Sequence, residues 1–330
     1  MTLVADPHGL WITVSVRALV VVMGLAACAH DPPRTATPDP WAAPAAVSDD
    51  PPDFGTVHAL ADKACPRVTR PYFFRVERAG AVSYFLGTRH IGVPLAKLPA
   101  GVTRQLRAAK LVVFETPPDT DDESTADTPG EVPLPELLGP ELWARYRKLV
   151  GTAAADALAH ARPSAALITM TAVYEDKLAM LDVEIADLVR GAHIPTQGLE
   201  THAFQDALIE ELMDVRMLRA TVRTTPDRGA LEREALRDLA EYCAGRDHDP
   251  GTDARTRKQL HAGGFSDTDI ARLDDKLVFA RNRDWIPKLE PLLAGGGVVV
   301  VVGADHLIGP RGVLAMLAAR GWKTTRVTQP

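Results

Sequence analysis

Alternating apolar and polar positions predict a β-hairpin near the start of the folded region. The alternation runs through YFFRVE (72–77) and resumes in VSYFL (82–86). Arg78-Ala79-Gly80 lies between the two runs and favours a turn, because glycine tolerates the backbone angles that tight turns need. We expect two antiparallel strands, the second of which leads into GTRH (87–90).

Other strands are predicted by short apolar runs further along the chain. LVVFE (111–115) and VVVVV (298–302) contain almost no polar position, which is typical of strands covered on both faces. Residues 194–199 predict a shorter strand that ends on Glu200, and residues 324–327 predict a closing strand.

Helical periodicity fills most of the intervening sequence. Helices are expected from Leu137 to about Thr224, over 270–289 and over 312–319. Two apolar stripes in the first of these regions predict core-facing sides: Leu181, Ile185, Leu188 and Val189, then Phe204, Leu208, Leu212 and Val215. The pattern predicts an α/β fold, with a largely parallel or mixed central sheet, an N-terminal hairpin and a helical insertion. Ligands of such sheets bind beyond the carboxyl ends of the strands.

The first 28 residues have the composition of a bacterial lipoprotein signal peptide. Arg17 precedes an apolar run, and Leu25-Ala26-Ala27-Cys28 resembles a lipobox, which predicts lipidation of Cys28. An ordinary signal peptide or a short membrane anchor is the alternative. Ala29 after the cysteine favours the outer membrane, so we expect a cell-envelope protein that faces the periplasm.

Residues 29–56 are rich in Pro, Ala and Asp, which predicts a disordered tether, and residues 57–330 are expected to form the folded domain. The 330-residue chain has a net charge of −6, which argues against a nucleic-acid partner. Besides Cys28, the chain contains Cys65 and Cys243. A disulfide between them and two separate buried thiols are both compatible with the sequence.

The pattern Gly-x-x-His occurs four times, at His58, His90, His248 and His306. His58 lies at the end of the predicted tether and His248 in a polar segment, so both are expected to face solvent. His90 and His306 each follow an apolar strand, where glycine lets the chain turn and the imidazole can enter the crevice above the sheet. Only these two are candidate site residues.

Two carboxylates also close predicted strands, Glu115 after LVVF and Glu200 after TQGL. If the four strands are parallel neighbours, both histidines and both glutamates surround one point. Such ligands suit a divalent metal ion, Mn, Co or Zn, which could activate water. His90, His306 and Glu115 are the expected ligands, although Glu115 and Glu200 can exchange the roles of ligand and general base. A helix cap or a surface ion pair is the simpler interpretation of Glu115 alone.

Arg281, late in the helix predicted over 270–289, could pair with a glutamate or stabilise a developing oxyanion, and Asn282 could donate a hydrogen bond to the same group. The alternative is a pair of exposed polar residues on a helix. Asp182 and Gln205 are weaker candidates. The sequence contains no HExxH, P-loop or GxSxG element, so a serine triad has no visible nucleophile.

Several sequence blocks together resemble the TraB/GumN family, relatives of the animal Tiki proteases. The blocks are YFLGTRHIG, LVVFET, LDVEIADLVRGAHIPTQGLETHAFQ and the segment from RNRDW to VGADHLIGPRG and ARGW. The resemblance covers residues 72–327 and is poor around 119–167 and 223–268. One departure is Met180-Leu181-Asp182, where the family usually has GLD.

The resemblance implies an α/β fold shared with haem-binding ChaN-like and erythromycin-esterase-like proteins. Tiki proteins are metal-dependent proteases, and their motif histidines and glutamate correspond to His90, His306 and Glu115. Glu200, Arg281 and Asn282 also fall on family motif positions.

We therefore expect a lipid-anchored, metal-dependent hydrolase that acts on a peptide or protein substrate. One alternative is a non-catalytic module that captures a peptide or a small ligand such as haem. The other is an ester hydrolase that uses His90 as a general base without metal.

Overall fold

The computed structural model describes residues 54–118, 129–172, 178–246 and 250–328. Its centre is a six-stranded mixed sheet with the strand order β4-β3-β5-β2-β1-β6. The strands are β1 Phe73–Arg78, β2 Ala81–Thr88, β3 Leu111–Phe114, β4 Thr196–Gly198, β5 Val298–Gly303 and β6 Lys323–Arg326.

The described α-helices cover both faces of this sheet and form a separate layer. They are α1 Phe54–Ala64, α2 Ala100–Arg107, α3 Leu134–Val150, α4 Thr152–Ala157, α5 Pro163–Ala172, α6 Leu181–Gly191, α7 His202–Leu212, α8 Val215–Thr224, α9 Arg228–Ala244, α10 Ala254–Ala262, α11 Asp267–Asp274, α12 Ala280–Ala294, α13 Ala304–Leu307 and α14 Val313–Ala318. A 3₁₀-helix, Leu95–Lys97, precedes α2, and a π-helix, Asp275–Phe279, joins α11 to α12.

The predicted hairpin and the parallel core of the sheet are both confirmed. β1 and β2 pair antiparallel around Ala79 and Gly80, which both have positive φ. β2, β5, β3 and β4 are parallel neighbours, so their carboxyl ends share one edge. Thr88 of β2 pairs with Gly303 of β5, and Phe114 of β3 pairs with Val301.

Three hydrophobic clusters hold the described layers together. One face of the sheet packs against α1, α2, α6 and α9, and the other packs against α12 and α14. β5 supplies alternate valines to the two faces and is buried along its whole length, as the run VVVVV predicts. The third cluster is built mainly of helices and contains side chains of α3, α4, α5, α7, α8, α9, α10, α11 and the π-helix.

Several predicted boundaries and exposures differ from the structure. The strand expected over 194–199 is limited to Thr196–Gly198, and the helix expected over 270–289 is interrupted by the π-helix. Phe204 was expected in an apolar core stripe but is 48% exposed, because it lies in the first turn of α7, on the side away from the core.

The N-terminal boundary also needs one correction. α1 begins at Phe54, inside the predicted tether, and His58 lies within this helix and is half-buried rather than solvent-facing. Cys28, His248 and residues 119–128 lie outside the described residues, as does the predicted signal peptide.

The open question about the two downstream cysteines has a definite answer. Cys65, just after α1, and Cys243, in the last turn of α9, form a disulfide with a Cα–Cα distance of 5.7 Å. Within the described ranges, every helix is too short or too polar to cross a membrane.

Candidate active site

The parallel strands bring the predicted site residues to one edge of the sheet. Glu115 follows β3, Glu200 follows β4, His90 follows β2, and His306 lies in the short helix α13 directly after β5. The side chains of all four are buried. The prediction that the four strand ends meet is confirmed.

Arg281, in the first turn of α12, lies between the two glutamates. Its Nη2 donates to Glu115 Oε2 at 2.5 Å and also to Glu200 Oε1, and its Nε donates to Glu200 Oε2 at 3.1 Å. Nη1 donates to His306 Nε2 at 3.2 Å and to the carbonyl oxygen of Leu277 at 3.0 Å. All five N–H donors of the guanidinium are therefore used.

Asn282 fixes the orientation and tautomer of His306. The Nδ1 of His306 lies 2.6 Å from Asn282 Oδ1, which can only accept, while Asn282 Nδ2 donates to the carbonyl oxygen of Arg311 at 3.0 Å. His306 therefore carries its proton on Nδ1 and accepts the hydrogen bond from Arg281 on Nε2. Burial and the charge of Arg281 lower the pKa of His306 to about 3, so this imidazole is neutral.

His90 has a different environment. Its Nδ1 bonds the Oδ2 atom of Asp182, in the first turn of α6, so the proton lies on Nδ1. Its Nε2 is buried and has no hydrogen-bond partner among the described residues. Burial lowers the pKa of His90, but the charges of Asp182 and Glu115 outweigh this effect and raise it above its ordinary value.

The pKa values of the two glutamates shift in opposite directions although both residues bond one arginine. Burial alone would raise the pKa of Glu115, but Arg281 and a 2.7 Å hydrogen bond from the backbone N–H of Gly303 help to lower it to about 2. For Glu200 burial is the stronger effect, and the negative charge of Glu115 adds to it, so its pKa is raised. Glu115 is therefore the ionised partner of Arg281.

Two further side chains complete the cluster. Trp285 donates from Nε1 to Glu200 Oε2 at 3.2 Å, and its ring lies 4.4 Å from the His306 ring between centroids. Gln205 donates to Glu115 Oε2 and to Glu200 Oε1, both at 3.3 Å. Trp285 was not among the predicted site residues, although its position four residues after Arg281 places both on one helix face. Gln205 and Asp182, the weaker candidates, both contact main site residues.

The predicted metal ligands do not fit a divalent ion in this arrangement. Within the described residues, no group of three His, Cys, Asp or Glu side chains is arranged to hold one. His306 Nε2 and Glu115 Oε1 are 3.8 Å apart, and both residues are already bonded to Arg281, at His306 Nε2 and Glu115 Oε2. The guanidinium therefore stands between the predicted ligands.

The same geometry limits the predicted role of Arg281 and Asn282 in oxyanion stabilisation. Every donor of Arg281 has an acceptor in the protein, and the amide of Asn282 bonds His306 and Arg311. Arg281 must break one of these bonds before it can donate to a substrate, whereas Asn282 uses its Oδ1 and one of the two N–H donors of its Nδ2. In this state both are positioning residues for His306 and the glutamates.

Comparison with known proteins agrees with this arrangement of motifs. Residues 72–326 match the TraB/PrgY/gumN family. The chain belongs to this family. The match begins just before β1 and ends at the last residue of β6, so it includes the whole sheet and every residue of the candidate site. No curated protein and no solved structure shows significant similarity to the chain.

Proposed function

We propose that this TraB/PrgY/gumN protein is a hydrolase in which His90 acts as the general base. The observation that carries the proposal is the Asp182–His90 pair, whose outer nitrogen, Nε2, is buried and has no partner in the described residues. A carboxylate on Nδ1 fixes the tautomer that leaves a lone pair on Nε2, and it stabilises the imidazolium that forms when His90 takes a proton from water.

Esters are the substrate class that this centre supports best. Water activated by an imidazole can attack an ester, whose alkoxide leaving group departs more readily than the amine of a peptide. Peptide hydrolysis, the activity expected from the resemblance to Tiki proteases, needs stronger activation, and a divalent ion at His90, His306 and Glu115 stays a prediction. Binding of that ion requires Arg281 to leave His306 and Glu115.

The setting of the proposed reaction is the bacterial cell envelope. The lipobox-like sequence before Cys28 supports an acylated N-terminus, and the oxidising periplasm is compatible with the Cys65–Cys243 disulfide. Mass spectrometry of the mature protein and of a Cys28→Ser variant tests this part: a lipid-modified N-terminal peptide is expected only when Cys28 is present.

Hydrolysis of an ester panel and a peptide panel, with and without chelator, tests the catalytic proposal. Ester turnover that survives chelator and falls by about 10²–10⁴-fold in His90→Gln is expected, because a general base contributes that much. His160→Gln is the matched control, since His160 is exposed. Peptide turnover that requires an added divalent ion would instead support the metal-dependent peptidase. Stoichiometric peptide or haem binding without turnover would support a binding module.

A further inference from the structure

Three side chains of the kinds that bind metals converge on the guanidinium of Arg281. Glu115 and Glu200 accept from Nη2, and His306 accepts from Nη1 through the nitrogen that would otherwise face a metal. Two carboxylates and a neutral imidazole form a donor set typical of divalent transition-metal ions. In this chain the centre of that set holds an organic cation.

The position of this cation is fixed by its surroundings. Arg281 is 2% exposed, its five donors are all used, and its guanidinium lies 4.9 Å from the centre of the Trp285 ring. One of its acceptors is the carbonyl oxygen of Leu277, within the π-helix that immediately precedes α12. Because arginine does not lose its proton in proteins, this positive charge is permanent.

A divalent ion and this guanidinium exclude each other. Both need the same oxygens of Glu115 and Glu200 and the same nitrogen of His306, and two cations at this separation repel strongly in a buried site. We infer that Arg281 is the resident cation of the Glu115–Glu200–His306 cluster, and that a divalent transition-metal ion binds this cluster only when the guanidinium is removed. The inference concerns the occupant of the cluster and does not depend on the hydrolytic activity proposed above.

Removal of the guanidinium charge, with the side-chain bulk largely kept (Met) or also removed (Ala), tests the inference. The full-length protein and its Arg281→Met and Arg281→Ala variants are titrated with Co²⁺, whose visible absorption reports its ligands, and bound metal is measured after dialysis. Two variants are made because the test needs only one of them to fold, and circular dichroism checks the folding of each. Arg283→Met is the matched control, because it removes a positive charge from an exposed neighbour on α12.

The expected result is weak Co²⁺ binding by the parent and by Arg283→Met, and affinity higher by on the order of 100-fold in an Arg281 variant. Addition of His306→Ala to that variant should abolish the gain. Stoichiometric Co²⁺ in the parent that is lost in His306→Ala overturns the inference, and so does a folded Arg281 variant that takes up no metal. Metal content is measured without substrate, so this outcome is separate from any failure of the ester assay.

Discussion

His90 and His306 occupy equivalent places in two Gly-x-x-His motifs, yet their pKa values shift in opposite directions. Asp182 raises the pKa of His90 against the effect of burial, whereas burial and Arg281 lower that of His306 to about 3. His90 therefore binds a proton more readily than an ordinary imidazole does, whereas His306 stays neutral and accepts a hydrogen bond. The two motifs place equivalent residues at one edge of the sheet and give them different chemistry.

The Asp182–His90 pair predicts the pH dependence of hydrolysis. The pKa of His90 is raised above the ordinary histidine value of 6.5. The basic form of His90 should therefore appear, and kcat/KM should rise, only at a pH above 6.5. Asp182→Asn removes the charge that raises this pKa and leaves burial to lower it, so the rise should move to lower pH. The maximum rate should also fall by about 10²-fold or more, because the required tautomer is no longer fixed.

A pH–rate profile of kcat/KM for the parent, Asp182→Asn and Asp187→Asn checks this. Asp187 lies on the same helix and is exposed, so its variant should match the parent. An unchanged profile in Asp182→Asn would contradict the assignment of His90 as the base.

Glu115 and Glu200 should respond differently to neutralisation. The pKa of Glu115 is about 2, so Glu115→Gln removes an ionised partner of Arg281 and should lower the free energy of unfolding by about 3 kcal/mol at neutral pH. The pKa of Glu200 is raised, so its carboxylate form is less favoured and Glu200→Gln should cost less than Glu115→Gln.

Denaturant unfolding of both variants at two pH values measures this difference. The pKa of Glu115 is depressed in the folded state, so its stabilisation is complete above its ordinary value of 4.5 and is lost as the pH falls toward 2. The gap between the parent and Glu115→Gln should therefore shrink in acid. Equal destabilisation by the two substitutions at neutral pH would contradict the opposite pKa shifts of Glu115 and Glu200.

At the scale of single elements, the glycine of the first motif has a steric role. A Cβ on Gly87 would lie 2.8 Å from Tyr72 Cβ and 2.9 Å from Ala304 Cα. The end of β2 thus passes closely between the residue before β1 and the start of α13, and this approach brings His90 toward the α13 helix that carries His306. Glycine at this position is required by the packing of the backbone.

Gly87→Ala should therefore destabilise the protein by about 1–3 kcal/mol, the usual cost of overpacking. It should also slow hydrolysis, because the strand end that leads to His90 must shift. Gly191→Ala is the control, since a Cβ there meets no atom within 4 Å and alanine is favoured in a helix. Thermal unfolding of both variants checks the prediction, which fails if Gly87→Ala is as stable as Gly191→Ala.

Elements were predictable from the sequence to different extents. Continuous apolar runs identified β3 and β5, and with the β-α-β order they placed Glu115 and His306 at the same sheet edge. The π-helix was not predictable, because residues 275–279 keep a helical apolar pattern and differ only in hydrogen bonding. A pairing of Arg281 with a glutamate was predicted and is confirmed, but its bonds to His306 and to Leu277 of the π-helix were not predicted. Phe204 shows the opposite limit, since periodicity alone did not show that this residue lies on the side of α7 that faces away from the core.

At the scale of the whole molecule, the sheet and its edge are the predictable part. Many helices of the third hydrophobic cluster belong to segments that resemble the family poorly, around 119–167 and 223–268, and their packing depends on contacts between distant segments. Periodicity identifies a helix and its apolar side, but it does not show which other helix covers that side. The cysteine pairing was open for the same reason, because 178 residues separate the two thiols.

The Cys65–Cys243 disulfide joins the end of α1 to the last turn of α9, next to a residue that supports the site. Cys243 precedes Gly245 at the end of α9, and the neighbouring Tyr242 donates its hydroxyl to the carbonyl oxygen of Gly87 at 2.8 Å. A cross-link that closes so long a loop restricts the unfolded chain strongly. Its loss should reduce the stability of the whole domain and also loosen the support under the end of β2.

We therefore expect Cys65→Ser/Cys243→Ser to lower the free energy of unfolding by about 3–5 kcal/mol. The parent in the presence of reductant should approach the same value, whereas reductant should not change the double variant. Denaturant unfolding with and without reductant measures this, and labelling of free thiols before unfolding shows whether the bond is formed in the purified protein. If complete reduction leaves the stability of the parent unchanged, packing rather than the covalent link holds α1 and α9 together.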